Sequence, residues 1–273
     1  MPATVASDPL AEKETALAAQ LDAHPSWLIA FSGGVDSALL TVVARRVLGA
    51  RRMRAALGAS AAVPRAVQQR AARITLLFDV PFDVIETNEL DDPGYVANRG
   101  NRCYFCKREL WSRLTHVARK RGISVVADGS IVDDMTERRP GRAAGTEADV
   151  VSPLADCGFT KTDVRVVARK LGIPLWNAPA SPCLASRVAV GVPVTRARLA
   201  DVDRAEDAVR ALGIDGDLRV RHIGDAARVE LPSDLLSAWS TADAQLQIMA
   251  AVRGAGFTNV SIDPRGYRRG AVA

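Results

Sequence analysis

The sequence has few of the features that mark membrane, secreted or nucleic-acid-binding proteins. Aromatic residues make up only 5% of its 273 residues, so platforms on which single-stranded bases could stack are sparse. No apolar run approaches the roughly 20 residues that a transmembrane helix needs, and residues 1–17 include acidic side chains but no hydrophobic signal-peptide core. We therefore expect a cytoplasmic protein with no membrane and no nucleic-acid partner.

Charge is not concentrated in any one stretch either. The 36 Lys and Arg residues exceed the 31 Asp and Glu residues enough to give a net charge of +5, without a block of like charge. This distribution is typical of a solvated, arginine-rich surface, and it would also suit a phosphorylated small molecule. With 48% hydrophobic and 25% charged residues, the composition is that of a globular protein with one large domain or two modest ones.

The four cysteines are not expected to form disulfides in a cytoplasmic chain, where metal binding or catalysis is favoured. Cys103 and Cys106 form a Cys-x-x-Cys motif, which zinc, iron–sulfur and dithiol redox sites all use. The sequence has no second Cys-x-x-Cys and no His-x-x-x-His. Cys183 lies in a loop where Arg187 could set its reactivity, whereas Cys157 is typical of a small, buried structural residue.

Strand and helix patterns alternate through the N-terminal part of the chain. Apolar runs predict strands at 27–31, 53–58, 82–86 and 123–130, and apolar spacing predicts helices at 9–23, 36–48, 64–78, 104–121 and 160–174. This order predicts an α/β fold with a doubly wound parallel sheet, whose ligands lie at the carboxyl ends of the strands. Residues 132–152 show no periodicity, and we expect a mobile loop there.

The pattern changes in the C-terminal third. Residues 176–195 are rich in Pro and small residues, and they precede predicted helices at 195–212 and 233–253 and strands at 217–223, 226–231 and 257–262. The first two of these strands predict a β-hairpin that turns near Gly224 and Asp225. We therefore expect two domains, 1–188 and 189–273, of which the second is a small α+β domain.

A glycine turn joins the first predicted strand to the helix that follows it. The turn reads FSGGVDSALL, from Phe31 to Leu40. It lacks the Gly-Lys-Ser/Thr of the common mononucleotide loop and the Gly-x-Gly-x-x-Gly of the dinucleotide fingerprint. Glycines let backbone N–H groups approach an anion, and a helix N-terminus adds positive potential. The turn resembles the PP-loop of ATP pyrophosphatases, which cleave ATP between the α- and β-phosphates.

This resemblance implies a pyrophosphate site at the turn. Its candidate residues are Ser32, Gly33, Gly34, Asp36 and Ser37, with Mg²⁺ to neutralise the anion. Ser60, at the end of the second predicted strand, is a further candidate contact for ATP.

Six stretches follow one another in the order found in one enzyme family. They read FSGGVDSALL, NRCYFCKREL, ADGS with DD and RPG after it, SPLADCGFTKTDVR, SPCLASR and VRHIGDAARVE. The chain therefore resembles the LarE family, ATP-dependent sulfur transferases of nickel-pincer nucleotide biosynthesis. The implied substrate is pyridinium-3,5-biscarboxylic acid mononucleotide. ATP adenylates one of its carboxylates, a sulfur nucleophile displaces AMP, and a thiocarboxylate results.

The resemblance also implies roles for the cysteines. Members with three cysteines, matched here by Cys103, Cys106 and Cys183, are thought to hold a [4Fe-4S] cluster that carries an extra sulfide. Members with one cysteine, at the position of Cys183, give up their own sulfur and are left with dehydroalanine. We expect the cluster type here, with sacrifice of Cys183 as the alternative, and a separate protein could supply the sulfide.

The predicted hairpin carries further candidate residues. Arg219 and Arg221 share one face of their strand, and Arg228 and Glu230 share a face of the next. Spacing alone leaves a solvated face and a phosphate site equally open. The family resemblance implies that Arg219 and Arg221 bind the substrate phosphate, that Glu230 lies near the site, and that the protein is a homo-oligomer.

Two stretches depart from the sequence that is usual in the family. Ile131 and Val132 stand where a Gly-Thr-Asn-like stretch is commoner, and GASAAVP after the second strand is unusually small and apolar, which leaves the adenine contacts open.

Three rival functions remain: a PP-loop tRNA-thiolating enzyme, an amide-forming PP-loop ligase, and an iron–sulfur or zinc-binding module. The first would need an RNA-binding appendage, the second would not need Cys183, and the intact PP-loop disfavours the third.

Overall fold

The structure, a computed structural model, describes residues 8–136, 140–179 and 182–268. Its helices are α1 (Pro9–Asp22), α2 (Val35–Arg52), α3 (Arg65–Leu77), α4 (Pro93–Val96), α5 (Arg102–Arg121), α6 (Val132–Thr136), α7 (Pro140–Glu147), α8 (Pro153–Asp156), α9 (Lys161–Lys170), α10 (Arg196–Arg210) and α11 (Ala242–Gly254). Its strands are β1 (Trp27–Ala30), β2 (Met53–Ala59), β3 (Phe82–Glu86), β4 (Val125–Ala127), β5 (Arg219–Ile223), β6 (Ala226–Glu230) and β7 (Asn259–Ile262). In the part of the chain that is described, no helix is both long and apolar enough to cross a membrane.

The chain forms two compact units. The described residues of the first unit lie within 1–59, 65–87 and 103–180, and those of the second lie within 60–64, 88–102 and 181–273. The second unit therefore includes two short segments from the N-terminal half, which neither composition nor periodicity signals. The domain boundary between residues 188 and 189 stays a prediction.

The first unit is built on a parallel sheet in the order β3-β2-β1-β4. Ile29 of β1 pairs with Ala55 on one side and Ala127 on the other, so β1 is central. Its apolar residues Trp27, Leu28 and Ile29 are almost completely buried, as expected for a strand covered by helices on both faces. The predicted α/β fold with a parallel sheet is confirmed, and its carboxyl edge carries the PP-loop.

The expected loop over 132–152 is wrong for most of its length. Residues 132–136 and 140–147 are helical, as α6 and α7, and residues 137–139 lie outside the described part of the chain. Pro140 occupies the first turn of α7, where its missing N–H costs nothing. A Cβ on Gly141 would lie 3.2 Å from the carbonyl oxygen of Cys103, so this glycine permits α7 to pack closely on α5.

The second unit contains the predicted hairpin in a mixed sheet of order β5-β6-β7. Strands β5 and β6 are antiparallel and turn at Gly224, which has a φ of 63°, and β7 is parallel to β6. Arg221 pairs with Arg228, and Arg219 pairs with Glu230, so the four charged side chains share one face. The predicted helix at 233–253 is wrong for residues 233–241, because α11 begins at Ala242 with Thr241 as its N-cap.

Candidate functional site

The PP-loop of the first unit is shaped by two adjacent glycines. Gly33 has a φ of 74°, and a Cβ there would lie 3.1 Å from Cγ1 and 3.2 Å from the carbonyl oxygen of Val67. Gly34 is the N-cap of α2 and supplies no side-chain hydrogen bond to the helix. The first N–H groups of α2 thus have no side-chain cap, and together with the helix dipole they form a site suited to an anion.

The hydroxyl groups of the loop are held in place from within it. Ser37 is buried, accepts a hydrogen bond from the Ser32 N–H at 3.2 Å, and donates one to the Gly34 carbonyl at 3.2 Å. The Oγ atoms of Ser32 and Ser37 are 3.0 Å apart. The structure therefore brings together the predicted residues Ser32, Gly33, Gly34, Asp36 and Ser37 at one end of α2, and their contacts with ATP stay a prediction.

Lys161 supplies a cation at this loop, and the sequence reasoning missed it. Its Nζ lies 2.8 Å from both carboxylate oxygens of Asp36. Lys161 is the first residue of α9, where Thr160 and Asp163 form a capping box that fixes the start of the helix. The only sequence signal is a lysine directly after a helix cap, and that signal does not say which distant loop the lysine reaches.

Arg70 is a second cation on the PP-loop that the sequence reasoning missed. Its Nε donates to the Gly33 carbonyl at 3.1 Å, and burial lowers the pKa of its guanidinium. Because the donor holds the carbonyl of the left-handed glycine, Arg70 stabilises the turn and adds positive charge near it.

The segment after β4 packs directly on the start of α2. A Cβ on Gly129 would lie 2.6 Å from the backbone N and Cα of Ser37. The Asp128 carboxylate fixes this segment, because it accepts hydrogen bonds from the N–H and hydroxyl of Ser130 and from the hydroxyl of Ser152. Only a glycine fits at position 129 without moving the PP-loop.

Gly129→Ala should therefore disturb both stability and nucleotide binding. We expect the free energy of unfolding to fall by about 1–3 kcal/mol, the usual cost of overpacking, and ATP to bind more weakly. Thermal unfolding and equilibrium dialysis measure the two effects. Gly254→Ala is the control, because a Cβ there meets nothing within 4 Å, and an equal loss in both variants would contradict the close-packing argument.

Ser60, the other predicted ATP contact, belongs to the second unit. Its hydroxyl donates to Oε1 of Glu89, a buried carboxylate, and accepts from the N–H of Ala62 at 3.1 Å. The bond from Ala62 closes a tight turn after β2, and the bond to Glu89 ties that turn to the short helical turn Glu89–Asp91. A contact between Ser60 and ATP stays a prediction.

The cysteines are divided between the two units. Cys103 is exposed and Cys106 half-buried, both in the first turns of α5, and Cys183 is half-buried in the second unit. The described residues contain no group of three or more His, Cys, Asp and Glu side chains placed to hold a metal ion. Three thiols have the right chemistry for an iron–sulfur cluster, and since Cys183 belongs to a different unit from Cys103 and Cys106, the cluster stays a prediction. Cys157 donates its thiol to Oε1 of Gln20 at 3.2 Å, and burial raises the pKa of that thiol.

Cys183 lies at the start of a short 3₁₀ turn, Leu184–Arg187, that Arg187 holds from inside. The Nη1 of Arg187 donates to the carbonyls of Pro182 at 2.6 Å and Cys183 at 3.1 Å. Its Nε and Nη2 donate to the two carboxylate oxygens of Glu206 at 2.8 and 3.1 Å. Arg187 thus contacts the backbone around Cys183, and its catalytic role stays a prediction.

The predicted phosphate-binding arginines are both buried. Nε and Nη2 of Arg221 donate to Glu230 Oε2 at 3.0 and 2.8 Å, and its Nη1 donates to the Ser186 carbonyl at 3.1 Å. Arg219 lies 4.6 Å from the ring centre of Tyr267. Burial, and then the charge of Arg187, lower the pKa of Arg219. Arg221 and Glu230 are therefore joined to the Cys183 turn, which brings four predicted residues of the second unit into one network.

Comparisons with known proteins find several that are similar in sequence over much of the chain. No protein-family model matches the chain. An uncharacterised protein of Synechocystis sp. is 37% identical over 243 residues, which cover 89% of this chain and 90% of that protein. The pyridinium-3,5-bisthiocarboxylic acid mononucleotide synthase of Lactiplantibacillus plantarum is 34% identical over 265 residues, covering 96% of this chain and 94% of the synthase. The glutamine-hydrolysing GMP synthase of Aeropyrum pernix is 31% identical over 218 residues, which cover 69% of this chain but 41% of that enzyme.

Proposed function

Because the chain belongs to the family of pyridinium-3,5-bisthiocarboxylic acid mononucleotide synthases, the LarE family, we propose that it transfers sulfur to the matching dicarboxylate in nickel-pincer nucleotide biosynthesis. The reaction uses ATP to convert a ring carboxylate of pyridinium-3,5-biscarboxylic acid mononucleotide into a thiocarboxylate. The observation that carries the proposal is the 34% identity that spans 96% of the chain. The PP-loop with its paired Asp36 and Lys161 supports it, as does the partial similarity to a GMP synthase.

The first chemical step activates the carboxylate. A carboxylate oxygen attacks the α-phosphorus of ATP, the bond between the α-phosphorus and the oxygen that bridges to the β-phosphorus breaks, pyrophosphate leaves, and an acyl adenylate remains. The N–H groups at the start of α2, the hydroxyls of Ser32 and Ser37, and Lys161 would stabilise the negative charge that develops on the leaving group. Asp36 would bind the Mg²⁺ that accompanies the phosphates, since carboxylates are its preferred ligands.

The second step forms the carbon–sulfur bond. A sulfur nucleophile attacks the activated carbonyl carbon and AMP leaves; sulfide gives the thiocarboxylate directly, whereas a cysteine thiolate gives a thioester. If Cys183 gives up its own sulfur, a base then removes the Cα proton of the thioester-linked Cys183, its Cβ–Sγ bond breaks, the thiocarboxylate leaves and dehydroalanine remains. If Cys103, Cys106 and Cys183 hold a [4Fe-4S] cluster, the cluster would supply the sulfide, and no side chain would be consumed.

Product analysis tests the proposal. The protein, ATP, Mg²⁺ and pyridinium-3,5-biscarboxylic acid mononucleotide should yield AMP, pyrophosphate and a substrate in which sulfur has replaced oxygen, as read by mass spectrometry. Formation of ADP would contradict the PP-loop chemistry. When tRNA is supplied as the substrate instead of the mononucleotide, it should not be thiolated. Thiolated tRNA would favour the rival PP-loop function.

Arg219→Lys should weaken binding of the mononucleotide by about 1.5–3 kcal/mol, the range for a hydrogen bond to a charged group. Lysine keeps the charge but loses the planar fork that suits a phosphate. Arg219 is a better test than Arg221, because removing Arg221 also leaves the buried Glu230 poorly paired. Calorimetric titration with the mononucleotide and, separately, with ATP measures the effect.

Two comparisons make the result specific. ATP affinity should be unchanged in Arg219→Lys, and Arg253→Lys, at an exposed position of α11, should bind both ligands normally. Equal losses of affinity for ATP and the mononucleotide would contradict the assignment of Arg219 to the substrate phosphate.

A further inference from the structure

Two buried ion pairs hold the turn that carries Cys183. Arg187 pairs with Glu206, and Arg221 pairs with Glu230; the side chains of all four residues are at most 8% exposed. In each arginine, Nη1 does not bind the carboxylate and donates instead to backbone carbonyls around Cys183. The carbonyls of residues 182 and 183 are bound by Arg187, and the carbonyl of Ser186 by Arg221.

Glu206 connects this turn to the strand of the predicted phosphate-binding arginines. Besides both hydrogen bonds from Arg187, its Oε1 accepts one from the backbone N–H of Val220 at 3.2 Å. Val220 lies in β5 between Arg219 and Arg221. One carboxylate of α10 thus fixes both the guanidinium that holds the Cys183 turn and the strand that carries the two arginines.

We propose that Glu206 is a positioning residue that, through Arg187, sets where the sulfur of Cys183 lies relative to β5. The inference deepens the proposed function and rests on it. Glu206 does not need to touch the substrate. Its charge orients Arg187, and Nη1 of Arg187 then fixes the carbonyls of Pro182 and Cys183. Because a misplacement of about 1 Å can slow a reaction on the order of 100-fold, loss of this clamp should slow sulfur transfer strongly.

The test must separate positioning from stability. Glu206→Ala alone would leave the Arg187 charge buried without its partner, which strongly destabilises a protein. The double variant Arg187→Met/Glu206→Leu replaces both charges by apolar side chains, a change that often leaves stability intact. This variant lacks the Arg187 donor to the carbonyls of residues 182 and 183, while Cys183 keeps the hydrogen bonds from the N–H and hydroxyl of Ser186. It should therefore fold but lose the clamp.

We expect the double variant to keep a Tm near that of the wild type and to release pyrophosphate from ATP at a similar rate. Its kcat for thiocarboxylate formation should fall at least about 10-fold, with KM for the mononucleotide little changed. Amide hydrogen exchange can be measured without substrate. In the double variant it should be faster than in the wild type at Ser186 and Val188, whose N–H groups are hydrogen-bonded within the turn. The matched control Asp201→Leu/Arg204→Met removes an exposed ion pair from the same helix and should change none of these quantities.

The outcomes are distinct. A double variant that folds, keeps wild-type kcat and exchanges the turn amides at the wild-type rate overturns the inference. Normal stability with a lower kcat and faster exchange supports it, because a purely stabilising ion pair would leave kcat unchanged in a folded protein. A wild-type protein that forms no thiocarboxylate overturns the proposed function instead, and hydrogen exchange still decides whether Glu206 and Arg187 hold the turn.

Discussion

Replacing Lys161 with methionine should lower the rate of pyrophosphate release from ATP at least about 100-fold, the scale of losing one preorganised charge-stabilising group. Lys161 Nζ lies within 2.8 Å of both oxygens of Asp36, at the N-terminal end of α2. A cation there can stabilise the charge that develops on pyrophosphate as it leaves. Release of labelled pyrophosphate in the presence of the mononucleotide measures the rate.

The loss should be catalytic rather than structural. The side chains of Lys161 and Asp36 are 37% and 26% exposed, and such partly solvated pairs contribute only about 0–1 kcal/mol to stability. Lys170→Met is the matched control, because Lys170 belongs to the same helix and pairs with Glu14 at the surface. If both variants release pyrophosphate at the same rate, Lys161 has no part in the reaction.

The local part of the site could be predicted from the sequence, and the distant part could not. Gly33, Asp36 and Ser37 belong to one strand–turn–helix unit, so a short motif determines their geometry. Lys161 reaches Asp36 from 125 residues away along the chain, and periodicity predicts its helix but not its partner. Glu206 could not be predicted for the same reason. The local sequence around a helical glutamate is the same whether its carboxylate pairs with a buried arginine or faces solvent.

The errors in the fold have similar physical causes. The stretch from 132 to 152 contains Pro and Gly, which usually break helices, but Pro140 begins a helix and Gly141 allows it to pack near Cys103. The hairpin was predicted correctly, because alternation and a Gly-Asp turn set its register locally. The grouping of residues 60–64 and 88–102 with the C-terminal unit depends on tertiary contacts that no local pattern encodes.

Replacing Cys183 with serine should abolish thiocarboxylate formation and leave pyrophosphate release intact, since the two steps use different groups. Serine occupies nearly the same volume but supplies no transferable sulfur. If the three-cysteine prediction holds, Cys103→Ser and Cys106→Ser should also abolish repeated turnover, and anaerobically purified wild-type protein should contain iron and sulfide that each variant loses. Cys157→Ser is the control, because a serine hydroxyl can donate to Gln20 as the thiol does.

Intact-protein mass spectrometry after turnover decides the source of the sulfur. With a cluster as the source, the mass of the polypeptide should be unchanged after many turnovers, because every cysteine keeps its Sγ. With Cys183 as a sacrificial donor, the protein should become lighter by one H₂S equivalent, stop after one turnover, and carry dehydroalanine at position 183. Cys103 and Cys106 have no role in that reaction, so a mass loss at Cys183 together with fully active Cys103→Ser and Cys106→Ser variants would overturn the cluster prediction.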